Sequence, residues 1–190
     1  MRLLVALLLF FCLTVDAAAA TLRFGQRGET LPVFKVATFH SNEGESLDAF
    51  ALRMGVWFRN FTTTSGYEAC GLVFESATEK GRWALPIYTN HSQIGCAMPE
   101  TALEGYARTG DTIHSHPVEK MVEPNANDRI FLQGQSAQFN PERRHRRNVD
   151  PRTFSHTDFA SGPGYLVTDG KVLYQAGPKA VREVGVLPTP

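Results

Sequence analysis

The chain has 190 residues, room for one domain around a single core. Its 19 basic and 19 acidic side chains cancel, which removes the usual electrostatic footing for a nucleic-acid partner.

The first 20 residues read as a signal peptide. Arg2 precedes an apolar run from Leu3 to Val15, and an alanine-rich tail offers cleavage at or near Ala20. That run is short of the roughly 20 residues a spanning helix needs. No later segment is long and apolar enough to replace it, so the expectation is an exported chain, periplasmic or secreted, with no stable membrane span. Beyond Cys12, in the apolar run, the cysteines are Cys70 and Cys96. In an oxidising compartment they suit a disulfide; two buried thiols, or Cys70 as a metal ligand, are the alternatives.

Residues 31–40, "LPVFKVATFH", read as a strand carrying Val33, Phe34, Val36 and Phe39. After the polar "SNEGE", Ser46 suits a helix N-cap. Leu47, Phe50, Ala51, Met54, Trp57, Phe58 and Phe61 then recur every three or four residues. This spacing predicts a helix of about four turns with one apolar face, ended by "TTTSG". Residues 67–76 and 83–92 flank the turn signal "EKGR" and predict a hairpin. Residues 99–110 suggest a short helix closed by Gly110, and "DTIHSHP" a strand ending at Pro117. Residues 117–153, rich in Pro, Asn, Gln and Arg, read as a long inserted loop of the kind used as a lid. Its basic run at 143–147 suits an anionic substrate or envelope polymer. Near the C-terminus two β-branched runs flank Asp169-Gly170, a pair suited to a type I′ turn. The whole order predicts an α/β (α+β) domain over 21–190, its sheet packed by the long helix.

The chemistry concentrates at His114 and His116. In a strand, residues two apart share a face, so both imidazoles can aim at one point while Ser115 faces away. Imidazole is a preferred zinc ligand, and a catalytic site wants a third protein ligand plus an open position. Asp158 of "FSHTDF" supplies a carboxylate, with Ser155 on the same side of a helical turn. Asp128 of "NAND" is the rival third ligand, nearer in sequence but without a serine three residues before it. Glu68, opening the run "EACGLVF", is the candidate base for moving a proton. His156 is a candidate substrate contact; His40, His91 and His145 have no partner at ligand spacing.

Glu68 in "YEACGLVF", "HSHP" at 114–117 and "SHTD" at 155–158 together resemble the motif of the JAMM (MPN+) metalloproteases. The resemblance covers about residues 45–175. It implies a central mixed sheet flanked by helices, related to the cytidine-deaminase architecture, although the H-x-E and P-C-x-x-C pieces of a deaminase are missing. It implies Zn²⁺ held by His114, His116 and Asp158, with Glu68 as general base then acid. Ser155 would stabilise the oxyanion formed on an amide carbonyl. The implied partner is a peptide or protein substrate, cut at a peptide or isopeptide bond. A non-catalytic MPN-like binding module of the cell envelope is the alternative. In the family S-x-x-D follows H-x-H-P closely; here the whole 117–153 segment intervenes and must loop out and return. A barrel-type metallohydrolase would need a longer chain and more ligands.

Overall fold

The computed structural model describes residues 20–24, 28–118, 121–133, 146–147, 150 and 152–189. The signal-peptide expectation falls on residues 1–20, of which only Ala20 is described, and Arg143, Arg144 and His145 of the basic run also lie outside the described residues.

Strand β1 (Ala20–Phe24) pairs antiparallel with β2 (Glu29–His40). Helix α1 (Leu47–Ser65) follows, with the Ser46 side chain accepting from the Ala49 N–H. Its stop is Gly66, in the left-handed region at φ 74°, whose N–H donates to the Thr62 carbonyl. The helix therefore takes in Thr62 to Ser65, because glycine, not the threonine run, supplies the left-handed cap. Phe50, Ala51, Met54 and Phe58 of α1 are buried against the sheet. A fully buried phenylalanine contributes about 1.5–3 kcal/mol. Trp57 and Phe61 stack at 5.3 Å and flank that core half-buried, with Phe39 of β2 5.5 Å from Trp57.

Strands β3 (Cys70–Ser76) and β4 (Trp83–Thr89) form the expected hairpin, and β5 (Tyr106–Ser115) pairs with the other edge of β3. The helix expected over 99–110 does not form. Tyr106, Ala107 and Arg108 pair instead with Ser76, Glu75 and Phe74, so cross-strand pairing overrides a weak local preference. Gly110 is no helix cap. At φ 92° it sits where the β3–β5 register slips between Leu72 and Phe74, a bulge that a glycine accommodates.

Two short strands, β6 (Met121–Val122) and β7 (Arg146–Arg147), pair with each other around α2 (Ala126–Gln133). The inserted segment thus contains a helix that its composition did not announce. Next come α3 (His156–Ala160), β8 (Gly164–Val167), β9 (Lys171–Gln175) and β10 (Val181–Val186). The β8–β9 turn is not type I′, since neither Asp169 nor Gly170 has a positive φ. The Lys171 N–H turns to the Thr168 hydroxyl, and the Thr168 N–H donates to the Lys171 carbonyl.

Eight strands form one sheet in the order β1-β2-β4-β3-β5-β8-β9-β10. Among the described residues only the β5–β8 pair is parallel. The fold is a mixed α/β (α+β) arrangement with a large sheet and few helices. No described helix is long and apolar enough to cross a membrane.

Sheet alternation decides where the site lies. Ile113 is in the core with α1, and the Ser115 hydroxyl meets that of Thr62 at 2.6 Å. His114, between them, is carried to the opposite face.

Candidate metal centre

Three elements bring the candidate ligands together. His114 is the penultimate residue of β5, His116 follows the strand's last residue and precedes Pro117, and α3 carries Asp158. The parallel β5–β8 pairing sets Ile113 beside Tyr165 and His114 beside Leu166, which returns the chain after the inserted segment to the end of β5.

His114 Nε2 lies 3.2 Å from Asp158 Oδ1, and His116 Nε2 lies 3.6 Å from Asp158 Oδ2. One ligand atom from each of the three residues falls within 4.8 Å of the others. His114 Nε2 is buried, and its close approach to Asp158 is off hydrogen-bond geometry, leaving it without a hydrogen-bond partner. A buried nitrogen left unpaired beside a carboxylate and a second imidazole is the donor set a divalent cation would satisfy. This group can hold a metal ion.

The electrostatics agree with that use. Burial first, and then His114, pull the His116 imidazole down to about 4 against the opposing influence of Asp158. The ring is therefore neutral near pH 7, the form that ligates metal. Burial alone would raise the Asp158 carboxyl. His114 chiefly, then His116 and the Ser155 N–H, hold it well below the usual carboxylate value.

Asp158 is oriented twice over. Its Oδ2 accepts from the Ser155 N–H at 2.6 Å while its own N–H donates to Ser155 Oγ at 3.3 Å, a reciprocal capping box. From beneath, buried Gln175 of β9 donates through Nε2 to the Asp158 and Gly162 carbonyls. The capping role uses Ser155 Oγ as an acceptor, so its hydroxyl proton remains available to another group.

Asp128 has a different task. It is fully buried in the first turn of α2, where Oδ1 accepts from the Ser92 hydroxyl at 2.6 Å and the Gln93 N–H at 2.7 Å. Its Oδ2 accepts from the Asn125 N–H at 2.8 Å and from Gln93 Nε2 at 3.3 Å. Asn125 Oδ1 in turn accepts from the Asp128 N–H at 2.9 Å. Asp128 closes a second capping box and pins the chain at 92–93; it is not in the histidine cluster.

Glu68 immediately precedes Ala69 and β3, its N–H donating to the Ser92 carbonyl and its carbonyl accepting from the Thr89 hydroxyl, each at 2.8 Å. Its side chain is buried yet lines the same cavity as His114, His116, Ser155 and Asp158. Burial, and after it the charges of Asp158 and Asp128, push its carboxyl well above the ordinary value. A carboxylate tuned upward in this way suits proton transfer near neutral pH. Cys70 and Cys96 are joined by a disulfide, with Cα atoms 5.9 Å apart, that also lines the cavity. Cys70 is therefore tied to Cys96 and not free to ligate. His156 is exposed at the start of α3; His40 Nδ1 meets the Tyr106 hydroxyl at 3.2 Å.

The cavity, of about 560 Å³, has further walls that sequence reasoning missed: Ile94 and Met98 from the segment after β4, Phe131 and Leu132 from α2, and Phe154. A signal for α2 was present. Asn125 followed three residues later by Asp128, ahead of Ile130-Phe131-Leu132, has the same capping-box form as Ser155 and Asp158. In comparison with known proteins, no family model, no curated protein and no solved structure matches this chain.

Proposed function

We propose that the protein is an exported, zinc-dependent peptidase or isopeptidase of the JAMM type. The observation that carries the proposal is the meeting of Asp158 with His114 and His116 across the whole inserted segment, beside a buried glutamate that lines the same cavity. The large mixed sheet with a long helix on one face is compatible with an MPN-like architecture. Two further features support export: the composition of residues 1–20 and a disulfide, which persists in oxidising compartments.

His114, His116 and Asp158 would hold the zinc. Two nitrogens and one oxygen leave a position open, as catalytic zinc sites require. When bound, zinc lowers the pKa of water and polarises a carbonyl oxygen. Glu68 takes a proton from the attacking water as its oxygen adds to the amide carbon. The Ser155 hydroxyl donates to the developing oxyanion. Glu68 then delivers its proton to the amide nitrogen, and the C–N bond breaks. The apolar walls exclude bulk water around these transfers.

The test is a peptidase assay on the zinc-loaded chain and two variants. Glu68→Gln keeps zinc and loses at least about 100-fold in kcat, the low end of what general acid–base catalysis contributes. Asp158→Ala loses zinc and activity together. A Glu68→Gln protein with undiminished turnover contradicts the proposal.

A further inference from the structure

We infer that the cavity beside the three ligands contains a preformed subsite for one large apolar side chain of the peptide substrate, with Met98 and Phe131 setting the preference. This rests on the peptidase function proposed above and adds the substrate class.

The chemistry of the walls makes the selection. The charged groups among the described lining residues are Glu68, Asp158 and the imidazoles, all assigned to ligation or proton transfer. The remaining polar lining groups are neutral, and Ile94, Met98, Phe131, Leu132 and Phe154 supply the apolar surface. A charged substrate side chain seated against those apolar walls gives up water without gaining a counter-charge from them, whereas an apolar one gains by burial. A cavity of about 560 Å³ is in the size range of small-ligand sites and holds a stretch of peptide backbone with one bulky side chain.

The walls are held before any substrate arrives. Residues 91–98 are fixed at nearly every step. His91 adopts φ 50° and stacks between Phe34 at 4.2 Å and Tyr67 at 5.2 Å. Ser92 and Gln93 are bound by Asp128, and Cys96 by the disulfide to Cys70. Asn90 Oδ1 accepts from the Ala97 N–H at 2.6 Å. Gly95 lies so close to Phe131 that an added Cβ would come within 2.8 Å of the ring. The segment and α2 thus form one buttressed wall, and α2 belongs to the insertion between the H-x-H-P and S-x-x-D pieces. The inserted chain serves as a specificity element.

Capped hexapeptides of glycine and serine, each carrying a single Phe, Leu, Ala, Asp or Lys, provide the probe. Binding is measured calorimetrically to zinc-loaded Glu68→Gln protein, and hydrolysis with the wild type. Phe and Leu peptides are expected to bind at least tenfold more tightly than Asp and Lys peptides. Phe131→Ala reduces that margin about fivefold. Met98→Lys, at a partly exposed position, turns the preference toward the Asp peptide. Equal or undetectable binding of all five, or a ranking unmoved by both substitutions, overturns the subsite. An intact ranking without hydrolysis contradicts the peptidase function and upholds the subsite; hydrolysis without a ranking does the reverse.

Discussion

Replacing Asp128 should damage the fold and spare the metal, and replacing Asp158 should do the opposite. Asp128 has no exposed surface and receives four hydrogen bonds, from Ser92 Oγ, the Gln93 and Asn125 N–H groups and Gln93 Nε2. Hydrogen bonds to a charged group contribute about 1.5–3 kcal/mol each, and donors stranded without an acceptor cost their desolvation. Such contributions overlap, so Asp128→Ala should cost about 3–5 kcal/mol, the range for breaking a buried charged network. Asp128→Asn keeps one acceptor oxygen and should cost less. Asp158→Ala in metal-free protein forfeits the capping box with Ser155 and the contacts to His114 and His116, a smaller loss because the carboxylate is only partly buried. Urea unfolding of chelator-treated protein measures the first quantity, and elemental analysis after zinc loading the second. Folded Asp128→Asn should carry one zinc per chain and Asp158→Ala none. An Asp128→Asn protein that folds normally but is empty of zinc refutes the assignment of Asp158 as third ligand.

Other outcomes follow from burial. The His116 pKa falls from 6.5 to about 4 in the folded state, so between those values the unfolded chain binds the extra proton. Stability of metal-free protein from this group is full above about pH 6.5 and lost as pH drops toward 4, by about 3 kcal/mol at 1.36 kcal/mol per unit. The stability difference between wild type and His116→Asn, by urea unfolding, should therefore change between pH 4.5 and 7; a constant difference contradicts it. Glu68 has the opposite sign, because its raised pKa makes the folded state hold a proton that the unfolded state releases above about 4.5. Metal-free Glu68→Gln should melt higher than wild type at pH 7, with the gap closing toward pH 4. Breaking the disulfide, which spans 26 residues, should cost about 3–4 kcal/mol by chain entropy. Cys96→Ser should nonetheless retain zinc, since none of the three ligands lies between the cysteines.

What the sequence made legible was local. The three- and four-residue recurrence from Leu47 to Phe61 marks α1, and the runs around "EKGR" mark the β3–β4 hairpin, because each pattern reflects one nearby apolar face. Ser155 three residues ahead of Asp158 marks a cap, and H-x-H in a strand puts two imidazoles on one side. The convergence of these pieces was not local. It depends on β8 lying parallel to β5, a pairing between segments separated by the insertion. The same limit explains the helix wrongly expected over 99–110: "YAR" takes its structure from β3, not from its own propensity. Edge strands β1 and β10 were missed, short or half-exposed segments with little apolar alternation to mark them. Asp128 shows how one signature serves two ends. As a carboxylate near His116 it resembled a ligand, and only its four donors identify it as a buried brace.

Anomalous diffraction at the zinc absorption edge from crystals of the zinc-loaded protein tests the central claim most directly. It should reveal one zinc about 2.0–2.2 Å from a nitrogen of His114, a nitrogen of His116 and a carboxylate oxygen of Asp158, with Glu68 nearby and unligated. A zinc bound elsewhere, or held by Glu68 or Asp128 in place of Asp158, would contradict it.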